Sequence, residues 1–202
     1  MVRHFLRQKL KDGEDTVYLS GDPLHILEIK LHGCRRCRLV TSRRRLVFGE
    51  GNPSADLILI GEAPGKEEDK EGRPFIGRAG RLLREMLTQI GLSESDLYIT
   101  NVVKCHPPYD RDPKKDEISA CLPYLKQQIR IIQPRLILTL GRIAASALMG
   151  KEISITKIHG KLFAYEGIRL IPTFHPAFLI RNPNFRPRAV KDLALAKELI
   201  YG

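Results

Sequence analysis

Short apolar runs alternating with helical patterns leave this chain few folds to choose from. Asp56–Ile60 carries the unbroken Leu57-Ile58-Leu59-Ile60 run of a strand buried on both faces, and Gly61 closes it. Tyr98–Val103, Leu136–Leu140 and Ile168–Thr173 read as three further strands. Between and around them lie helical patterns. Gly77–Ile90 sets Leu82, Leu83, Met86, Leu87 and Ile90 on one face and arginines on the other, with Gly91 where a C-cap belongs. Helices are also expected over Pro23–Leu31, from Asp116 as the cap through Ile132, over Arg142–Met149 and over Ala189–Ile200. Pro123 is expected to kink the Asp116 helix. Such alternation predicts an α/β fold, a three-layer sandwich with a central, mostly parallel four-stranded sheet flanked by helices. Ligands in these folds bind beyond the carboxyl ends of the strands. Gly61–Gly65, Asn101–Cys105 and Phe174–Ile180 fall there and are expected to converge. The 202 residues suit one domain, with residues 1–23 as a possible N-terminal extension.

Charge narrows the partner. The formal net charge is +11, and Arg35, Arg36, Arg38, Arg43, Arg44 and Arg45 crowd one stretch while Arg181, Arg186 and Arg188 crowd another. Blocks of this kind suit a polyanion, and nucleic acid first. Nothing approaches the apolar length of a membrane span, and the charged N-terminus has no signal-peptide core, so a cytoplasmic, intracellular setting is expected.

Cys34, Cys37, Cys105 and Cys121 are the four cysteines. The C-x2-C pair brings two thiolates to one centre, and the other two would lock separate segments to it. Structural zinc and a [4Fe-4S] cluster fit this spacing equally, and two disulfides fit an intracellular chain poorly.

The strand-end motifs carry more. Gly61-Glu62-Ala63-Pro64-Gly65 makes a tight turn that aims Glu62 at whatever binds there, and it is not a phosphate loop, lacking the G-x-x-x-x-G-K-[ST] pattern. His175 precedes Pro176, which holds it extended. Alone, each is an ordinary turn. Together with Phe48-Gly49-Glu50-Gly51-Asn52-Pro53, Gly72-Arg73-Pro74-Phe75-Ile76-Gly77-Arg78-Ala79-Gly80, Ile99-Thr100-Asn101-Val102-Val103-Lys104-Cys105 and His175-Pro176-Ala177-Phe178-Leu179, the chain from about Leu31 onward resembles the family 4 uracil-DNA glycosylases. The related family 5 enzymes fit less well, because their first motif lacks an acidic residue at the place of Glu62.

The resemblance implies an enzyme that flips uracil out of single- or double-stranded DNA and hydrolyses its N-glycosidic bond. A monomer is expected. It implies that Phe75 stacks on the flipped base and that Asn101 reads it, accepting from N3–H and donating to O4. It further implies that His175 donates to O2 as negative charge builds there. Glu62 would orient water or stabilise the sugar cation. Glu68 would lie near uracil C5, and Gly61, Ala63 and Pro64 would shape the pocket floor. The four cysteines fall where that family holds its [4Fe-4S] cluster. Arg43, Arg44, Arg45 and Arg181 are candidate DNA contacts, and Leu179 a candidate wedge for the gap left by the base. A nucleic-acid-binding module without catalysis would account for charge and cysteines, but not for Glu62, Asn101 and His175 at three strand ends.

Overall fold

The computed structural model describes residues 22–202. The N-terminal extension expected over residues 1–23 therefore lies outside the described residues, except for Asp22 and Pro23. Those two open the first helix: the Asp22 side chain accepts the Leu24 N–H at 3.0 Å, and Pro23 needs no partner for the N–H it lacks.

In chain order the helices and strands are α1 (Pro23–His32), β1 (Glu50–Gly51), β2 (Leu57–Gly61), α2 (Lys66–Glu71), α3 (Arg78–Gln89) and β3 (Leu97–Asn101). There follow α4 (Lys115–Ile132), β4 (Leu136–Leu140), α5 (Arg142–Met149), α6 (Ile155–Ile158), β5 (Phe163–Tyr165), β6 (Ile168–Thr173), α7 (Pro176–Arg181) and α8 (Arg186–Tyr201). The sheet runs β1-β3-β2-β4-β6-β5. Its four inner strands are parallel, as expected, but the sheet has six strands and not four, because β1 and β5 pair antiparallel on the two edges. Two and three residues are too few for a strand period to show in the sequence, so backbone pairing alone reveals these edges.

Both faces of the sheet are covered, which makes the predicted three layers. Leu57 and Leu59 of β2 face α3, α7 and α8, while Ile58 and Ile60 face α1, α4 and α5. All four are fully buried, each contributing roughly 1.5–3 kcal/mol of apolar burial. That explains why the inner strands read as continuous apolar runs.

Three local expectations give way. Asp116 does not cap α4; Lys114 does, and Glu117 organises this end by accepting the Lys114 N–H at 2.8 Å and a two-pronged Arg111 pair. The strand expected over Tyr98–Val103 stops at Asn101, because Val102 and Val103 turn their N–H groups to Gly61 O and Glu62 O. Pro123, expected to kink α4, sits inside it without breaking the helix. Phe174–Ile180, for which no conformation was expected, is largely helix: His175 caps α7 and Pro176 occupies its first turn. The highly charged α2 has no apolar period to betray it; acidic residues in its first turn and left-handed Gly72 at its end delimit it.

Candidate active site

The carboxyl ends of β2, β3 and β6 meet as expected. Gly61 ends β2, and Asn101 ends β3 directly beside it in register. A Cβ on Gly61 would lie 2.4 Å from Asn101 Oδ1 and 2.5 Å from Phe75 Cζ, so amide and ring close on one point that only a glycine leaves open. Phe75 occupies a loop in left-handed backbone at φ 52, unusual for an aromatic residue. Arg84 Nη1 donates to its carbonyl at 2.6 Å and holds that conformation. The Phe75 and His175 rings lie 6.0 Å apart at 37°.

Asn101 is buried at 2% exposure, and its Oδ1 has no hydrogen-bond partner among the described residues. A buried acceptor left without a partner costs about 1–3 kcal/mol.

His175 is set to donate. Its Nδ1 accepts the Ala177 N–H at 3.1 Å, which leaves the ring proton of the neutral form on Nε2. Burial, aided by Arg181, lowers its pKa to about 4, so near neutral pH it is an uncharged donor. Gly141, at φ 92, backs it: a Cβ there would lie 2.8 Å from His175 Cβ.

Glu62 is half-buried beside the Asp112–Arg142 ion pair, whose closest atoms are 3.1 Å apart. Burial and then Asp112 raise its pKa to about 7 against the opposing pull of Arg142. Pro64 closes the turn and is tied by its carbonyl to His106 Nδ1 at 2.9 Å, while Ala63 packs against the core. Glu68 braces the site from behind. Its two oxygens accept the Gly65 N–H at 3.1 Å and the Gly77 N–H at 2.9 Å, joining the Gly61–Gly65 turn to the Phe75 loop.

The four cysteines are free and line one cavity together with Leu31, Val40 and Arg43. All four gather at one place, as a shared metal centre would require, and none is paired in a disulfide. Arg43 Nη1 points at Cys105 Sγ at 3.2 Å, and the Lys104 N–H at Cys121 Sγ at 3.3 Å. Among the described residues, no three or more His, Cys, Asp or Glu converge closely enough to hold a single metal ion.

The Uracil DNA glycosylase superfamily model matches residues 48–197, a span that holds every pocket residue above. The type-4 uracil-DNA glycosylase of Sulfurisphaera tokodaii is 46% identical over 88% of this chain and 85% of its own length. That of Thermotoga maritima is 43% identical over 91% and 98%. The chain belongs to the type-4 uracil-DNA glycosylases. A type-5 uracil-DNA glycosylase of Pyrobaculum aerophilum is more distant, at 30% over 82% and 86%.

Two of the surface candidates in this type-4 glycosylase are corrected by the fold. Arg43 also donates to Cys34 O at 2.9 Å, so its guanidinium serves the cysteine site and not a phosphate. Leu179 is fully buried on the inner side of α7 and cannot act as a wedge. Arg44, Arg45 and Arg181 are exposed. Sequence reasoning missed Asp112 and Arg142 beside Glu62, and Gly141 beneath His175. The end of β4 was an available signal, as the fourth place where a ligand of such a sheet is contacted. It also missed Lys104, fully buried, whose Nζ donates to Thr100 Oγ1, Asn101 O and Gln128 Oε1 at 2.5–2.7 Å.

Proposed function

We propose that this protein excises uracil from DNA by hydrolysis of the N-glycosidic bond, and that the Gly61–Asn101–Phe75–His175 pocket receives the extruded base. The observation that carries the assignment is the unpaired, buried Oδ1 of Asn101 beside an aromatic ring and a neutral histidine. Uracil offers what this amide lacks: N3–H donates to Oδ1, and O4 accepts from Nδ2. Cytosine presents the reverse pair. A matched bidentate contact gives about 1–3 kcal/mol of discrimination, and the mismatch leaves buried groups unpaired.

Extrusion costs a few kcal/mol, offset by stacking on Phe75 and by phosphate contacts. As the C–N bond breaks, negative charge gathers on uracil O2, where the Nε2–H of His175 donates; one such donor is worth about 3–4 kcal/mol. A neutral histidine suits this role, since a neutral donor stabilises the leaving anion without transferring a proton to it. The carboxylate of Glu62 faces the sugar, to stabilise its cation or orient the attacking water. No pocket position is a lysine, and Lys104 Nζ is engaged by three oxygens, so Schiff-base lyase chemistry is not expected and borohydride should trap no adduct.

A [4Fe-4S] cluster fits the cysteines better than zinc. Four free thiols line one cavity without converging on a single-ion site, and two N–H groups point at sulfur, as suits an anionic cluster. Cys34, Cys37, Cys105 and Cys121 would hold it. Held there, it would supply no redox step, and its four ligands would tie the Cys34–Cys37 loop, the segment after β3 and α4 into one body. Protein purified without air should hold about four irons per chain, and stoichiometric zinc without iron would reject the cluster.

The partner is DNA, single- or double-stranded, met by a monomer inside the cell; no helix among the described residues is long and apolar enough to cross a membrane. The deciding experiment is incubation with an oligonucleotide holding one uracil, then alkali. Strand scission at the uracil, dependent on the protein, is expected; intact strands would reject the function.

A further inference from the structure

Tyr109 is 98% exposed, the most exposed large apolar side chain among the described residues, and its hydroxyl makes no hydrogen bond there. It also occupies left-handed backbone at φ 61, followed by Asp110 at φ 53. Left-handed backbone is unfavourable for a residue with a Cβ, and single apolar residues at the surface are usually neutral. Here neither burial nor local bonding explains why an aromatic residue stands at the tip of the loop.

The loop is firmly held on both sides. His106 is tied to Pro64 O at 2.9 Å, Arg111 pairs with the fully buried Glu117 at 2.7 and 2.8 Å, and Asp112 meets Arg142 at 3.1 Å. Pro107, Pro108 and Pro113 stiffen it further. These anchors adjoin the Glu62 turn and the His175 site. Pro64 belongs to the Glu62 turn, Asp112 and Arg142 flank Glu62, and Arg142 follows the Gly141 that backs His175. A rigid arm thus presents a bare ring next to the Glu62 turn, on a loop that also carries Arg111, Lys114 and Lys115 in sequence. Leu179, in the helix that His175 caps, is buried and offers no apolar tip.

We infer that Tyr109 stacks on a nucleobase next to the extruded nucleotide, holding the strand open at the mouth of the pocket. Every base has a π-face, so such a platform tolerates any sequence, and a rigid loop loses little freedom when it binds. The inference rests on the proposed function, deepening it with a second aromatic contact that touches the DNA rather than the excised base.

The test uses the full chain with its metal site loaded, in Tyr109→Ala, Tyr109→Gly and Tyr109→Phe variants. The probe is an oligonucleotide with a tetrahydrofuran abasic analogue flanked by 2-aminopurine, whose fluorescence reports stacking. Alanine and glycine should weaken binding on the order of ten-fold and abolish the protein-dependent change in fluorescence, while phenylalanine stays near wild type. Glycine, at ease with positive φ, should unfold no sooner than wild type, so its loss of binding reflects the missing ring and not a damaged fold. Wild-type affinity and fluorescence in the alanine and glycine variants would overturn the inference, and so would a phenylalanine variant as weak as alanine, which would point to the hydroxyl. Wild-type protein that binds this probe yet releases no uracil from a uracil oligonucleotide would instead overturn the proposed function.

Discussion

Replacing Glu62 by glutamine should make the protein more stable and nearly inactive at once. Burial and Asp112 raise the Glu62 carboxyl from 4.5 to about 7 in the folded chain. Between these values the folded state holds a proton that the unfolded state has released. Stability attributable to this group therefore falls as pH rises from about 4.5 to about 7 and is level above it. At full burial that difference would amount to about 3 kcal/mol. Solvent screening at a half-buried carboxylate reduces it to on the order of 1–2 kcal/mol. Glutamine keeps the shape and never ionises. Glu62→Gln should thus resist denaturant better than wild type at pH 8 and gain much less at pH 5, with unfolding followed by circular dichroism. Single-turnover excision should show the counterpart. The wild-type rate should climb with pH and level near pH 7 as the carboxylate forms, while the variant stays roughly 10²–10⁴-fold lower and flat. Asp112→Asn should move the wild-type inflection to lower pH, and Arg142→Gln should move it higher. An equal stability difference at both pH values, or a wild-type rate without an inflection, would refute the picture of a desolvated carboxylate that must ionise to act.

Asn101→Asp should lose most uracil excision, because a carboxylate oxygen would face uracil O4, and should gain slow cytosine excision through the N4 donor; undiminished uracil release would show that Asn101 is not the reader. Gly61→Ala should place a methyl against Asn101 Oδ1 and Phe75 Cζ, at 2.4 and 2.5 Å before relaxation, and cut excision about 100-fold while the chain still folds. Full activity would mean that base and amide do not meet there. Alanine at Arg44 and Arg45 should each lower the slope of log affinity against log salt by about one. Arg43→Gln should leave that slope alone and lower iron retention, whereas the reverse pattern would return Arg43 to the DNA surface.

Much of this could be read before any coordinates. The four inner strands are buried on both faces, so their apolar runs are continuous and hard to mistake. Gly61, Phe75, Asn101 and His175 belong to short motifs whose order along the chain follows the strand ends. By contrast β1, β5 and α2 left no pattern, because two or three residues, or a wholly charged turn, have no period to detect.

What the sequence determined by itself is the layer order, the family, and the kinds of side chain available at each strand end, all of which depend on local spacing. What only the tertiary structure decided is which of those side chains face each other. Arg43, Arg44 and Arg45 are identical in type and adjacent in the chain, yet one turns to Cys105 while its neighbours are exposed. Leu179 carries the motif of a wedge but faces the core, because capping by His175 starts a helix whose inner side is set by packing on α3. Glu62 owes its pKa to burial and to Asp112, which is fifty positions away in sequence. Desolvation and charge depend on distances through space, and those exist only once the chain has folded.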